Sequence, residues 1–549
     1  MTRSIVTAHR GSRPPGRWPT ILVALALCVG TVSVAPTASA ARVLCVSHQP
    51  GCSDSLQAAI DLAQPGDVIR IARGVFAGGV TISKSISLVG SGPGSTVIRG
   101  GGPVLTIGVF DAPSEPTVSV RGVTITGGVT YSSTHCGPNC GTSYVHATAL
   151  GGGIEVPPAA GSGLGATVSI SDTVIAGNRV APIVTVPSVR AVCPSGPCRF
   201  ALAGGGGIDN WGTMTLTRTV VRDNHVGGPL ASDADGAGIL NEGGSLTIRD
   251  SVVSNNHAVA GAPNGRFADS GGIFMNVGHL DLRNSVVAGN QARLTAAWPD
   301  DVNTLAIAGG IHVTSDASAM IRSSRVSRNH VNATNSAGFA TAFSGGIHAD
   351  GQLELHASIV SRNNVRATTT FKTGNAQADS GAGEMNNNAV IDNSRLSHNH
   401  VTAKAVDGQA DVSAGAIVAA AFDHLTITGS IIAGNRLTAT STGRTTAAGA
   451  GIANIGSLTL RHTKVAHNKA RVTGTTGLAR GGGIANASAP DGPPVVRLDL
   501  INSRVTHNAL VTSPGITAHG GGIYGTVPVT LSHSSIEHNR PDQCYACNG

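Results

Sequence analysis

The chain has 549 residues, with 37 Lys plus Arg against 30 Asp plus Glu, 74 Gly, and only 9 Phe, 3 Trp and 4 Tyr. At 41% hydrophobic and 12% charged it is too apolar and too weakly charged for a disordered chain. So few rings exclude an extended aromatic platform for stacking bases or sugars. The formal charge of +7 includes four arginines before residue 20 and falls to +3 without them, which makes no electrostatic case for nucleic acid.

Arg3, Arg10, Arg13 and Arg17 precede an apolar run from Ile21 to Val34 and then Ala38-Ser39-Ala40. That order predicts a secretory signal peptide over 1–40, cut after Ala40. The run is shorter than the roughly 20 apolar residues a membrane span needs. No later stretch is long and apolar enough, so no transmembrane segment is expected after signal removal. The chain reads as secreted, or held at the cell surface after export. Eight cysteines remain, as four close pairs: Cys45 with Cys52, Cys136 with Cys140, Cys193 with Cys198, and Cys544 with Cys547. In an oxidising compartment these predict local disulfides. Cys136, Cys140, Cys193 and Cys198 precede two successive repeats, so zinc held by all four is the competing reading.

Residues 41–66 predict an N-terminal cap. Leu56, Ala59, Ile60 and Ala63 mark one face of a short helix ended near Pro65-Gly66. From 67 to 540 the chain is repetitive: GGGIDNWGTMTLTRTVVRDN from Gly204 is followed by GAGILNEGGSLTIRDSVVSNN and GGIFMNVGHLDLRNSVVAGN. The unit is a Gly-rich entry, an Ile, a polar turn, a Leu-x-Leu strand, then Ser/Thr-x-Val-x-x-Asn. Its last Asn falls at Asn178, Asn224, Asn256, Asn290, Asn329, Asn363, Asn399, Asn435, Asn468, Asn508 and Asn539. Self-similarity at this period means a solenoid, and the internal alternation is that of strands. We expect three short strands per unit, with Gly and Asn at the corners. Asn tolerates the left-handed region, and its amides can hydrogen-bond from rung to rung. Ile208, Ile239, Ile273, Ile311, Ile347, Ile452, Ile484 and Ile523 would form an inward stack. Roughly 13 rungs about 4.8 Å apart would span on the order of 60 Å. Between units lie variable stretches rich in Ala, Thr, Ser and Gly, such as Val180 to Ala203 and Gln291 to Ala308, expected to be recognition loops. The segment 541–549, with its two cysteines, is expected to be a stapled C-terminal tail.

The stretch AAIDLAQPGDVIRIARGVF with VTISKSISLVGSG resembles the N-terminal entry of the pectate-lyase-like superfamily. The GGI and Val-x-x-Asn units resemble polymorphic outer-membrane-protein repeats of secreted, adhesin-like proteins. The resemblance runs from about Ser55 to Asn539. It implies an all-β, single-stranded right-handed parallel β-helix. It does not carry an activity, because the superfamily holds lyases, hydrolases and adhesins alike. With about ten residues after the last repeat, simple secretion or surface retention is expected rather than autotransport.

Lyases of this fold use clustered carboxylates for calcium with an Arg or Lys base, and its hydrolases use close Asp residues. The weak catalytic candidates are Asp281 and Glu354, in one strand column two rungs apart, and Glu384, at or beside the inward Ile position of its unit. Arg249, Arg283 and Arg322, followed by His356, form a basic column just after the Leu-x-Leu strand. It is either a stripe for an acidic glycan or a face neutralised by Asp250 and Asp281. Histidines recur before the unit Asn (His398, His467, His507, His538) and after it (His225, His257, His330, His400), chiefly as polar turn residues. No phosphate loop, nucleophile elbow or HExxH occurs. The reading is a secreted binding scaffold for glycans or surface proteins, with no cofactor. A polysaccharide lyase or hydrolase acting on an acidic polymer is the alternative, calcium entering only with the lyase, and a structural spacer is the third.

Overall fold

Alternating burial builds five strands in each full turn of the chain, where three were expected. The computed structural model describes residues 41–547 except for stretches within 132–144, 182–198, 229–232, 262–265, 298–303, 421–423 and 488–495. One turn runs through Ala317–Arg322, Arg325–Ser327, His330–Asn335, Ala340–Phe343 and Ile347–Ala349. Each strand pairs in parallel with its counterpart one turn on, as Ala319 with Leu353 and Val331 with Val365. Stacking these strands gives five sheets, here I to V in chain order within a turn, of 15, 14, 11, 11 and 14 strands. The right-handed parallel β-solenoid expected from the sequence is therefore the fold, with about 11 five-stranded turns. Shorter turns precede them, closed by the helix Leu56–Leu62, whose Leu56, Ala59 and Ile60 are buried and whose Ser55 Oγ accepts from the Ala58 N–H.

Sheets I, II and V enclose one core, in which Ile347, Leu353, Leu355 and Val360 are at most 1% exposed. Each such side chain contributes about 1.5–3 kcal/mol of burial. Sheets III and IV pack on each other around a second core made almost wholly of Ala and Val, among them Val331, Ala333, Ala342, Val365 and Ala367. The stretches read as variable loops are these two sheets. Gln291–Ala296 is a strand of sheet III and Leu305–Ile307 one of sheet IV, as is Arg199–Gly204, while Ile183–Thr185 pairs with Ser133–His135 outside both. Alternation was present, as in Val331-Asn-Ala333-Thr, but alanine differs too little from Thr or Ser in hydropathy to announce it. The small side chain is what lets the two sheets approach.

The two cores meet at a neck. There each unit Asn is buried, and its backbone N–H and Nδ2 both donate to the Oδ1 of the next Asn. The chain runs unbroken from Asn178 to Asn539, with Asn363 to Asn399 at 3.0 Å for both bonds. The left-handed conformation expected of these Asn residues belongs instead to the residue before each. Arg328, Arg362 and His398 have φ of 56°, 58° and 59°. That choice turns the amide inward, where it can reach its neighbours. On the returning chain a β-carbon on Gly346 would sit 2.4 Å from the Ala382 carbonyl oxygen and 2.9 Å from the Asn363 amide nitrogen. Glycine is required there by the close approach of the two chain segments.

Cys45 and Cys52 form a disulfide of 2.07 Å, and Cys544 is bonded to Cys547. Cys136, Cys140 and Cys198 lie outside the described residues, and of Cys193 only the backbone is described.

Candidate functional site

The solenoid register places the predicted residues plainly. Thr247, Asp281, Met320 and Glu354 share one row of sheet I, so Asp281 and Glu354 are two turns apart. Arg249, Arg283, Arg322 and His356 form the next outward row. Asp281 lies 2.7 Å from Arg283 and 3.8 Å from Arg249, and Glu354 is 3.2 Å from His356. Local carboxylates thus neutralise much of this column. Glu384 does not take the inward position of its unit: Ile347 is opposite Gly383, and His348 is opposite Glu384. Met385 fills the missing Ile volume, its methyl 3.0 Å from where a Gly383 β-carbon would be. His398, His467, His507 and His538 stand exposed in one row, with ring centroids 5.0 Å apart between His467 and His507 and between His507 and His538.

The stronger concentrations of chemistry are elsewhere, on the two flanks of the neck. The first is basic. The outward positions of sheets II and III, from Val252 to Thr512, contain Arg and Lys but no Asp or Glu. Arg325, Arg328, Arg362, Arg366 and Arg395 carry the charge in the earlier turns, and Arg436, Lys464, Lys469, Arg471 and Arg504 in the later ones. All of them are exposed. A depression of about 180 Å³ is lined by His400, Arg436, Thr438, Lys469 and Arg471. Among the described residues, the one ion pair involving these later cations joins Arg504 to Glu537, at the C-terminal edge. Over seven turn spacings of about 4.8 Å, the face is roughly 34 Å long.

The second flank, between sheets IV and V, is acidic and largely buried. Sheet V carries in one outward row Asp209, Leu240, Phe274, His312, His348 and Glu384. Sheet IV faces it with Asp235, Asp269 and Asp379. His312 is 7% and His348 6% exposed. His312 Nδ1 is 2.7 Å from Asp269 Oδ2, and its Nε2 is 3.2 Å from Asp350 Oδ2. His348 Nδ1 is 2.9 Å from Ser344 Oγ, and its Nε2 is 3.4 Å from Asp350 Oδ1. Asn386 Nδ2 donates to the same Asp350 Oδ1 at 2.7 Å.

Electrostatics follow this layout. Burial pulls the His312 imidazole down, but Asp269 and Asp350 outweigh it and push the group up to about 10. For Asp350 burial is overcome by bonds from His312, His348 and Asn386, which hold it well below the usual carboxylate range. Burial pushes Asp379 up to about 7, against donors on Ser413 and Gln377. It also raises Glu384, despite the opposing charge of His348. Asp209 and Asp235 are raised well above the ordinary carboxylate value, by burial first and neighbouring acids second. The sequence reading missed His312, His348, Asp269 and Asp350. The signal was there: Gly309-Gly-Ile-His312 and Gly345-Gly-Ile-His348 place His in the same slot of consecutive units.

Fold and flanks together define a parallel β-solenoid with opposite charge on the two sides of its neck. No family model matches the sequence, and no curated protein matches it. Solved structures that match the chain include two epimerase modules. The mannuronan C-5 epimerase AlgE6 A-module of Azotobacter vinelandii is 14% identical, with 87% of this chain and 93% of that one covered and a TM-score of 0.33. The mannuronan C-5 epimerase AlgE4 A-module of the same organism is 13% identical, with 88% and 91% covered and a TM-score of 0.25.

Proposed function

We propose that the protein is an extracellular scaffold that binds an acidic polysaccharide along the outer faces of sheets II and III. The observation that carries this is the row of exposed Arg and Lys, unbroken by any acid from Val252 to Thr512. Like charges held one turn apart repel each other, and a polyanion lying along the solenoid relieves that repulsion. The same face holds no Phe, Trp or Tyr, so it offers nothing for nucleobases to stack on. Its remaining outward residues are mostly Ser, Thr, Asn and His, which suit sugar hydroxyls. Export through the 1–40 leader, and a cystine at Cys45–Cys52, fit an extracellular setting.

The test is retention of the purified chain on immobilised uronate-rich and sulfated polysaccharides at increasing salt. Retention that falls with salt is expected, and a variant carrying Arg436→Ala, Lys469→Ala and Arg471→Ala should bind at least tenfold more weakly. Equal binding by that variant overturns the assignment of the face. A second reading, glycoside hydrolysis, draws on Asp379, which burial and the charge of Glu384 in the acidic flank help push up to about 7. New reducing ends released from a neutral glycan, and lost in Glu384→Gln, would establish it.

A further inference from the structure

The acidic flank contains a group of side chains whose geometry exceeds what an ion-pair network requires. His312, His348 and Asp350 each present one ligand atom, and the three lie within 4.8 Å of one another. Both imidazoles use Nε2 toward the shared carboxylate, at 3.2 and 3.4 Å. Around a tetrahedral ion about 2.0–2.1 Å from each ligand, ligand atoms sit about 3.4 Å apart. The two rings meet edge to face, with centroids 4.8 Å apart.

The outer contacts point the same way. A histidine that binds a metal through one nitrogen ordinarily fixes its ring by bonding the other to a carboxylate or a neutral polar group. Asp269 does this for His312 Nδ1, at 2.7 Å, and Ser344 for His348 Nδ1, at 2.9 Å. Glu384 lies beyond, 3.8 Å from the same His348 nitrogen. Asn386 holds Asp350 Oδ1. Each of the three candidate ligands is thus oriented by a partner that is not itself a ligand. The sheets explain why: His312 and His348 are adjacent in register on sheet V, and Asp350 follows His348 by two residues at the strand's end.

We propose that His312 Nε2, His348 Nε2 and the Asp350 carboxylate bind one divalent first-row transition ion, with its remaining positions open to water or a ligand. Two imidazoles and one carboxylate suit Zn²⁺, Mn²⁺, Fe²⁺ or Co²⁺ and disfavour Ca²⁺, which takes six to eight oxygen ligands. This site stands on the opposite side of the neck from the cationic face and does not depend on polysaccharide binding.

The experiment uses the full chain stripped with a chelator and dialysed metal-free. Titration with Zn²⁺ followed by calorimetry and elemental analysis should give one high-affinity ion per chain, and Co²⁺ should give the visible absorption of a low-symmetry four- or five-coordinate site. His348→Gln should lower Zn²⁺ affinity at least a hundredfold. Asp269→Asn, which touches no metal, should lower it about 10- to 100-fold by releasing the His312 ring. A variant with His467→Gln and His507→Gln, which dismantles the exposed histidine row, should bind as the parent does. If His348→Gln fails to fold, Asp269→Asn and the cobalt spectrum still decide. No stoichiometric binding by the parent, or binding abolished by the exposed-row variant and retained in Asp269→Asn, overturns the proposal.

Discussion

Replacing Asn399 by Ala probes the ladder at the neck. In the parent, Asn399 Oδ1 accepts from the Asn363 backbone N–H and from Asn363 Nδ2, both at 3.0 Å. Its Nδ2 donates to the Val360 carbonyl at 3.2 Å and to Asn435 Oδ1 at 2.9 Å. The substitution deletes all four bonds, but their loss is unequal. Asn363 Nδ2 keeps the Val326 carbonyl, and Asn435 Oδ1 keeps the Asn399 backbone N–H. The Asn363 backbone N–H has no such substitute and is stranded in a site with 0–1% exposure. A stranded buried donor costs about 1–3 kcal/mol and each of the other three bonds about 1 kcal/mol, so a loss of about 4–6 kcal/mol is expected. A solenoid need not unfold in one step, so urea unfolding should be paired with hydrogen exchange at the Asn363 and Val365 amides. Asn399→Asp keeps an acceptor for Asn363 but buries a carboxylate facing Asn435 Oδ1. Its destabilisation should exceed that of Asn399→Ala at pH 8 and shrink as pH falls and the group protonates. Thr334→Ala, on the outward side of sheet III, should cost under about 0.5 kcal/mol. If Asn399→Ala costs less than about 1 kcal/mol, the ladder does not secure the neck.

Three further perturbations separate other parts of the fold. Asp379 has a folded-state value of about 7 against 3.8 for the free group, so ionisation opposes folding; stability should fall as pH rises from about 4 to 7 and then level off. Because the group is only partly buried, that fall should be about 1–2 kcal/mol, and Asp379→Asn should flatten it in urea midpoints measured at pH 4.5 and 8. Ala367→Leu, in the alanine-rich second core, should cost about 1–3 kcal/mol by forcing sheets III and IV apart, read as a lowered thermal midpoint. Reducing Cys45–Cys52, which closes a seven-residue separation, should remove about 2.5 kcal/mol of local stability and speed amide exchange over 43–62, with little change beyond residue 130.

Much of the architecture was legible in the residues themselves. The Leu-x-Leu alternation, the recurring Gly-Gly-Ile and the Asn spacing state a β-solenoid, because each reports a local requirement: a strand period, a backbone approach, a polar corner. The cap helix was legible for the same reason, from the spacing of Leu56, Ala59 and Ile60. The row Arg249, Arg283, Arg322 was also legible, since register along one sheet follows from the repeat. Its neutralisation by Asp281 depended on which way each side chain turns.

What the sequence by itself determined is the period of the repeat and the inward or outward sense of the residues in its Leu-x-Leu strands, since both are properties of a few consecutive residues. Only the tertiary structure decided that Ala-rich connections pair into sheets III and IV, because alanine carries little hydrophobic contrast until a second sheet covers it. The same pairing brings Asp269 of one sheet against His312 of another across 43 residues of chain, and gathers His348 and Asp350 to them. It also sorts the charges, acids to one side of the neck and cations to the other. Charge pairing across sheets depends on distances through space, and spacing along the chain does not encode those.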